Sequence, residues 1–369
     1  MKNETFLYKS IFLYASLQFC GNTEEYFARH TEKLLVFILM PRIKNKNHLV
    51  RIYNKGKLIQ EKKIQLPESI YLHYPFWYIT YLKLIATYFS KKDNVVVIGS
   101  HPLIFFGMTL QKMLVNVRFV FWIEYFPRAN LVLSLFDDLK NFYHKRVDFA
   151  CYFGDRVNKL MNGEILNTEK RKTILWGVKP QIIKKMFPSG KRTILFVGLI
   201  KESQGLDLVF QYLRIHKNYY LKIIGVCDDT LYAKYQKMFV EYGIVDQIDF
   251  ANKFFSEKEL QNISKECFVG IAPYATGKGN GVYYVDPGKI KAYAELGLPI
   301  IMSNTSSILP YVKKFKAGEV IQRNVVSLHH AIEKIQHDYK KYLEGLKKFN
   351  KYFYFENYYA KNFKFLENF

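Results

Sequence analysis

The residues best suited to chemistry lie in the segment Tyr283–Lys291, which leads into a predicted helix. Asp286 is suited to cap this helix, and Pro287 is suited to its first position. A helix start offers free backbone N–H groups and the positive end of the helix dipole, while Gly288 leaves room for a ligand and Lys289 adds charge. The segment therefore predicts a site for a phosphate or a sugar hydroxyl, although Asp-Pro-Gly also begins purely structural helices.

A second stretch suited to an anion is Phe196–Asp207, which reads as a strand, a loop and the start of a helix. Gly198 allows a ligand to approach the strand end closely, and Lys201 supplies a point charge for a diphosphate. A common strand-end glycine and a solvated lysine are the alternative interpretation.

In the first half of the chain, two titratable residues stand at the ends of predicted strands. His101 follows one buried strand, and Glu124 ends the next. Both are expected at the carboxyl edge of a sheet, where each could orient a hydroxyl or accept a proton. The alternatives are a structural histidine and an ion pair between Glu124 and Arg128. Residues 22–25, which follow the first strand, are further candidates for a site at this edge of the sheet.

Short apolar runs alternate with longer helical patterns and position these candidates, which is typical of βαβ units around parallel sheets. The predicted strands are 10–17, 33–40, 94–99, 117–123, 149–153 and 173–175, then, after a polar stretch ending at Gly190, 193–197, 221–224, 248–250, 268–272, 299–302 and 319–321. The pattern predicts two consecutive α/β domains, followed by an amphipathic helical tail from Leu328. Gly297 is expected to end the helix after Gly288 in the left-handed conformation.

The segment Tyr71–Ser90 (YLHYPFWYITYLKLIATYFS) contains Lys83 as its only charged residue and is nearly long enough to span a bilayer. Pro75, His73 and the many tyrosines argue against a span. The pattern favours a helix of the core, with a helix lying in the membrane interface as the alternative.

The chain of 369 residues carries 55 Lys and Arg against 32 Asp and Glu, so its field attracts polyanions. It has no RNA-binding aromatic signature, no metal-finger spacing and no basic run longer than a few residues, so nucleic acid is not the leading partner. Its four cysteines form no C-x-x-C pair, which is typical of free thiols in a reducing compartment and predicts a cytoplasmic protein. Contact of this protein with the inner face of a membrane is compatible with that prediction.

Five ordered blocks between Lys191 and about Ile335 resemble the donor-binding half of retaining GT-B glycosyltransferases, in particular family four. These blocks are FVGLIKESQGLDLVF, LKIIGVCDD with YGIVDQIDFANKF, CFVGIAPY, DPGKIKAYAELGLPIIMSN and AGEVI. In the first half GSHP, WIEYFP, DFACYFGDRVNKL and ILWGVKP are similar to the family more loosely. The terminal FENYYAKNFKFLENF resembles the helix that in this fold crosses back to the first domain.

The resemblance implies an α/β GT-B architecture of two Rossmann-like domains facing a central cleft. Its parts would be an acceptor-side domain (1–180), a nucleotide-sugar donor domain (181–345) and a returning C-terminal helix (346–369). It places Gly198 and Lys201 at the donor diphosphate and Lys253 and Phe254 near the base. The sugar and phosphate would contact Asp286, Pro287, Gly288 and Lys289.

This chain departs from the family at both of its charged motifs. Leu199 and Gln204 stand where the family usually places Arg and Lys. The family's Glu-x7-Glu pair falls on Tyr284 and Ala292, and Glu295 is a partial substitute almost one helical turn later. The resemblance therefore implies a variant donor site in which a DPGK block replaces the paired glutamates and Tyr284 and Glu295 contribute to donor binding.

The leading hypothesis is transfer of a sugar from a UDP- or GDP-linked donor to a hydroxyl of a glycan or lipid-linked acceptor, with retention of configuration. Lysine side chains and a helix N-terminus would stabilise the leaving diphosphate without a metal or other cofactor. A noncatalytic GT-B protein that binds glycan or a partner enzyme is one alternative, and a nucleotide-sugar epimerase is another.

Overall fold

The computed structural model describes residues 6–15, 22–38, 48–67, 69–125, 130–179, 192–253, 255–275 and 281–367. The chain divides into two compact units. Unit 1 comprises Met1–Gly177 together with Phe355–Phe369, and unit 2 comprises Val178–Tyr354.

The strands and α-helices of the described residues follow one another in the alternation expected for α/β folds. The strands are β1 (Tyr8–Ala15), β2 (Thr31–Ile38), β3 (His48–Asn54), β4 (Lys57–Ile64), β5 (Asn94–Gly99), β6 (Asn116–Ile123), β7 (Phe149–Tyr152), β8 (Arg171–Thr173), β9 (Arg192–Val197), β10 (Tyr219–Ile224), β11 (Ile248–Ala251), β12 (Cys267–Ala272), β13 (Ile300–Ser303) and β14 (Gly318–Ile321). The helices are α1 (Thr23–His30), α2 (Ile70–Tyr88), α3 (Met108–Leu114), α4 (Leu131–Tyr143), α5 (Asp155–Asn162), α6 (Asp207–Ile215), α7 (Asp229–Glu241), α8 (Glu257–Ser264), α9 (Gly288–Glu295), α10 (Leu309–Phe315), α11 (Val325–His337), α12 (Tyr339–Phe353) and α13 (Phe355–Asn362).

Unit 1 is built on a sheet with the order β4-β3-β2-β1-β5-β6-β7-β8. From β2 to β8 the neighbouring strands are parallel. Its central strands are continuous apolar runs such as Val95–Ile98, all buried, because helices cover both faces of a parallel sheet. The strand order reverses between β1 and β5, so a crevice is expected at the carboxyl ends of these two strands.

The hairpin of β3 and β4 was not predicted from the sequence. Both strands are antiparallel to their neighbours, and the described residues of β4 are almost entirely exposed. Lys55 and Gly56 form the turn with positive φ angles. A solvated edge strand needs no continuous apolar run, so its charged sequence resembles a loop.

The C-terminal helix α13 packs within unit 1. Its Tyr359 is fully buried, and the Tyr359 hydroxyl accepts a hydrogen bond of 2.7 Å from the backbone N–H of Gly177. A side chain at Gly177 would lie 2.7 Å from Cβ of Phe355, so glycine is required there. Glu356 contacts Arg29 and His30 of α1, at 2.6 Å in each case.

Unit 2 is built on a parallel sheet with the order β11-β10-β9-β12-β13-β14. Numbered from β9, this is the 3-2-1-4-5-6 order of doubly wound nucleotide-binding sheets. The six strands predicted for this half are confirmed. The reversal of order lies between β9 and β12, which makes the ends of these strands the expected ligand site.

Candidate functional site

Helix α9 begins at Gly288, as the pattern predicts, but its N-cap lies one residue after Asp286, the residue expected to cap it. Pro287, in extended conformation, is the N-cap, and Gly288 is the first helical residue. The expectation that Asp286 caps the helix and that Pro287 is its first residue is therefore wrong. Gly297 follows the helix with a φ of 69°, so the expected left-handed termination is confirmed.

Asp286 is buried instead, and it pairs with a lysine one turn into the helix. Its Oδ2 atom lies 3.4 Å from Nζ of Lys291, and both side chains are almost fully buried. The Lys291 ammonium also lies 3.1 Å from the ring centroid of Phe353 on α12. Burial lowers the pKa of Lys291 to about 8, and the Asp286 carboxylate opposes that shift. These contacts give Asp286 a structural role in holding the start of α9.

Tyr293 fixes α9 against the two strands at which the sheet order reverses. Its hydroxyl accepts a hydrogen bond of 3.1 Å from Val197 N–H of β9 and donates one of 2.8 Å to the Ile271 carbonyl of β12. Gly270 leaves the space for the ring, because a Cβ atom there would lie 2.3 Å from it. The start of α9 is thereby held beside the reversal point.

Lys289 places its ammonium group at the end of β9. Its Nζ atom donates a hydrogen bond of 2.5 Å to Oε1 of Gln204. The same atom lies 3.7 Å from the ring centroid of Phe196 and 5.2 Å from that of Tyr274. A Cβ atom at Gly198 would lie 3.8 Å from it, so the lysine occupies the space beside the strand-end glycine.

The cation of Lys289 is held by neutral groups. Among the described residues no carboxylate lies within ion-pair distance of it, and desolvation by burial brings the pKa of Lys289 well below its ordinary value. A desolvated cation without a counter-ion is unfavourable, and an incoming anion removes that cost. The surroundings of Lys289 are therefore suited to a bound anion.

Gly198 itself has a φ of 123°, and its backbone N–H donates a hydrogen bond to the Ile224 carbonyl. Gly225 approaches so closely that a Cβ atom there would lie 1.8 Å from the Gly198 carbonyl oxygen. The two glycines thus allow the ends of β9 and β10 to pack closely beside Lys289.

Other predicted donor residues do not share these contacts. Lys201 is exposed, and within the described part of the chain its side chain has no hydrogen bond or ion pair. Lys253 is exposed beside the ring of Phe255, at 4.8 Å. Tyr284 packs edge-on against Tyr283. Phe254 lies outside the described residues.

Glu295 is the last residue of α9, at the end opposite to Gly288 and Lys289. Its Oε1 atom accepts a hydrogen bond of 2.7 Å from the backbone N–H of Lys179. The rise of a helix separates Glu295 from Gly288 by about 10 Å along the axis. This geometry gives Glu295 a contact to the chain entering unit 2, and its role in donor binding stays a prediction.

Three residues of this site were not predicted as contacts: Gln204, Phe196 and Tyr274. In the family comparison of the sequence, Gln204 is only a position at which this chain lacks the usual lysine. Its position before Gly205, in the turn after β9, is the only signal that the sequence carries. Their convergence on Lys289 depends on long-range packing.

In unit 1, Glu124 lies in a cavity at the point where the strand order reverses. The small cavity, of about 20 Å³, is lined by Leu13, Tyr14, Thr23, Ile98, Gly99, Ser100, Trp122, Glu124, Phe153 and Trp176. Burial raises the pKa of Glu124, and a hydrogen bond from the Ser100 hydroxyl opposes this shift. A carboxyl group with a raised pKa is suited to exchange a proton with a hydroxyl.

His101 faces different surroundings, and it does not line this cavity. Its ring lies 4.5 Å from that of Phe136, 5.2 Å from Trp77 and 5.8 Å from Tyr74, with which it stacks. Its Nδ1 atom accepts a hydrogen bond of 3.3 Å from Leu103 N–H. Burial lowers the pKa of His101 to about 3, so its imidazole is neutral at physiological pH.

The candidates after the first strand divide in the same way. Thr23 lines the cavity, whereas Glu24 accepts hydrogen bonds from Arg51 and Tyr53. Glu25 pairs with Arg29.

The described residues contain no cluster of His, Cys, Asp and Glu side chains with the geometry of a metal site. None of the described helices combines the length and the apolar character needed to cross a membrane.

The second half of the chain is similar to one family of known proteins. Residues 178–352 match the family of glycosyl transferases group 1. A search of curated proteins returns no match. The matched range is nearly the whole of unit 2, which contains the Lys289 site.

Solved structures share the fold over almost the whole chain. Sucrose-phosphate synthase from Thermosynechococcus elongatus superposes with a TM-score of 0.73 over 98% of each chain, at 12% identity. The catalytic domain of starch synthase IV from Arabidopsis thaliana, bound to ADP and acarbose, has a TM-score of 0.66 at 10% identity over 98% of this chain and 99% of its own. WaaG, a glycosyltransferase involved in lipopolysaccharide biosynthesis, has a TM-score of 0.59 at 13% identity with the same coverage. The predicted fold class is confirmed.

Proposed function

We propose that this chain, which has the GT-B fold and whose residues 178–352 match the family of glycosyl transferases group 1, is a glycosyltransferase. It transfers a sugar from a nucleoside diphosphate sugar to a hydroxyl of a glycan or lipid-linked acceptor. The transfer proceeds with retention of configuration. The observation that supports the donor class best is the Lys289 ammonium, which lies beside Gly198 at the end of β9 and contacts only neutral groups.

A diphosphate is the ligand that fits the surroundings of Lys289. Negative charge develops on the diphosphate as the glycosidic bond to the sugar breaks, and a pre-positioned cation stabilises that charge without reorganisation. Lys289 supplies the cation, Gly198 lets the ligand approach the end of β9 beside it, and Gly288 leaves open space for the phosphate oxygens. Lys201, which is exposed in the free protein, adds a second cation from the turn after β9. No metal or other cofactor is needed for this neutralisation.

The remaining donor residues follow the same proposal. The family resemblance assigns Lys253 and Phe254 to the base and Tyr284 and Pro287 to the sugar, and the proposal keeps these assignments. The DPGK block thus replaces the paired glutamates of the family, with Lys289 as its ligand-binding member and Asp286 as the residue that supports it through Lys291. Glu295, at the C-terminal end of α9, contributes to donor binding in this proposal.

On the acceptor side, Glu124 is the proposed residue that accepts or orients the acceptor proton. The Ser100 hydroxyl supports its ionised form. His101 takes part as a neutral group that shapes the surroundings of the strand end. The free thiols of Cys151, Cys227 and Cys267 are in keeping with a cytoplasmic reaction.

Isothermal titration with UDP, GDP and ADP tests the donor class, and a screen of donor hydrolysis with the corresponding nucleotide sugars tests the reaction. We expect one of the diphosphates to bind, and one of its sugars to be hydrolysed slowly without acceptor. Absence of binding to all three at millimolar concentrations would contradict the proposal and favour the noncatalytic alternative. An epimerised sugar nucleotide formed from the donor alone would favour the epimerase.

A further inference from the structure

Helix α2 has two apolar faces, of which only one is buried. One face packs into unit 1 through His73, Trp77, Tyr81 and Ile85. The opposite face presents Leu72, Phe76 and Ile79, of which 51%, 50% and 61% are exposed. These three residues follow a spacing of four and three positions, which places them on one stripe. A helix that is apolar all round is normally buried, and this helix is not.

Two neighbouring helices extend this apolar surface. The segment containing α3 exposes Phe106, Leu110 and Met113, and α4 exposes Leu131, Leu135 and Phe142. Helix α2 contacts both of these parts of the chain: the rings of Tyr74 and Phe136 of α4 lie 4.8 Å apart, and the Tyr78 hydroxyl donates a hydrogen bond of 2.6 Å to the carbonyl of Phe106, two residues before α3. We call the nine exposed residues on α2, α4 and the α3 segment the apolar face.

The exposed large apolar side chains of this protein are concentrated in the part of the chain that forms the apolar face. Of the 21 large apolar side chains exposed among the described residues, ten lie between positions 72 and 142. Exposed apolar groups scattered singly are ordinary, whereas a concentration on adjacent helices marks an interaction site.

The charged residues around the apolar face indicate which kind of partner it binds. Lys83 continues the stripe of α2, one turn after Ile79, and α2 contains no acidic residue. Lys112 lies among the exposed residues of α3, and the Arg146 guanidinium lies 3.6 Å from the ring centroid of Phe142. Asp138 is the one exposed acidic side chain described on α4.

A basic rim around an apolar surface matches an anionic lipid headgroup layer above acyl chains. A second copy of this chain fits less well, because a two-fold contact would bring two copies of the same basic rim together. We propose that the apolar face docks unit 1 on the surface of an anionic bilayer, with Phe76, Ile79 and Leu131 inserted among the headgroups. This proposal is independent of the donor chemistry.

Co-sedimentation of the full-length protein with vesicles tests the proposal. We expect binding to vesicles of phosphatidylcholine with phosphatidylglycerol, weaker binding to pure phosphatidylcholine, and a decrease on addition of salt. Phe76→Asp or Leu131→Asp should lower the partition coefficient by at least about tenfold, since each removes one inserted side chain. Lys83→Glu should lower binding to the anionic vesicles and leave binding to pure phosphatidylcholine unchanged.

Val240→Asp is the matched control, because Val240 is 72% exposed on α7 of unit 2 and the substitution adds the same charge. It should bind like the wild type. Thermal melts of each variant confirm folding. Equal vesicle binding by wild type and Phe76→Asp, or no binding by the wild type, overturns the proposal. A dimer in sedimentation velocity that Phe76→Asp dissociates would assign the face to a second copy instead.

Discussion

The Nζ atom of Lys289 lies 2.5 Å from the Oε1 atom of Gln204, although the two residues are 85 positions apart. The contact joins the start of α9 to the turn after β9, the central strand of unit 2. Gln204 is the position at which the family resemblance led us to expect a lysine. The cation at this strand end is therefore supplied from α9, and neutral groups hold it in place.

Lys289→Met should weaken binding of the preferred nucleoside diphosphate by about 10- to 100-fold, the range expected for one charge-assisted hydrogen bond. Isothermal titration measures this change. Lys237→Met, at an exposed position on α7, is the control and should have no effect. Gln204→Lys in the Lys289→Met background returns a cation to the same place and should recover part of the affinity. An unaltered affinity in Lys289→Met would remove our assignment of the phosphate site.

Binding of the diphosphate should be accompanied by proton uptake. In the free protein the pKa of Lys289 is lowered by burial, and the phosphate charge raises it in the complex. Between these two pKa values the complex holds one proton more than the free protein, so affinity falls as pH rises through this window. Titrations in buffers of different ionisation enthalpy measure the uptake. The effect should vanish in Lys289→Met, and a buffer-independent enthalpy for the wild type at every alkaline pH would contradict the prediction.

Glu124→Gln should lower kcat at least about tenfold, because it removes the group that accepts or orients the acceptor proton, while nucleotide affinity stays unchanged. Ser100→Ala removes a hydrogen bond that lowers the pKa of Glu124. The acidic limb of the pH–rate profile should therefore move to higher pH in this variant. Initial rates across a pH series measure both effects. A profile that does not move would indicate that Glu124 is not the titrating group.

Unit 1 should lose stability in mild acid. Burial lowers the pKa of His101 to about 3 and that of His48 to about 4, from 6.5 in each case. The unfolded chain therefore binds more protons below pH 6.5. Stability is fully present above this value and falls as pH decreases, by at most about 1.4 kcal/mol per pH unit for each histidine.

Urea unfolding at neutral and mildly acidic pH measures this loss. His101→Phe keeps an aromatic ring among Tyr74, Trp77 and Phe136, and it should show a flatter pH dependence than the wild type. The same loss of stability in both proteins would exclude His101 as a source of acid sensitivity.

Asp286→Asn should destabilise unit 2 by about 3 kcal/mol, because it leaves the buried ammonium of Lys291 without its carboxylate. Replacing both partners, as Asp286→Asn with Lys291→Met, should recover part of this loss. Urea unfolding measures both changes. Glu344→Gln breaks the exposed pair with Lys347 and should cost less than about 1 kcal/mol. Equal effects of the buried and the exposed substitution would contradict the structural role of Asp286.

The sequence by itself determined the two sheets and most of their strands. Runs such as Asn94–Gly99 and Cys267–Ala272 are apolar throughout because parallel strands are buried on both faces, and this pattern is local. Gly297 at the end of α9 is likewise a local signal, since the left-handed conformation favours glycine. The exposed edge strand β4 lacked such a pattern, and β3, which is buried only at alternate positions, lacked a continuous apolar run.

Only the tertiary structure decided which side chains meet. The sequence placed Asp286 at a helix start, but in the structure Pro287 is the N-cap and the Asp286 carboxylate pairs with Lys291. It placed Lys289 near a phosphate site without naming Gln204, and it put His101 and Glu124 at adjacent strand ends without separating their surroundings. Periodicity reports whether a position is buried, whereas partners, pKa values and exposed apolar faces depend on segments brought together by long-range packing.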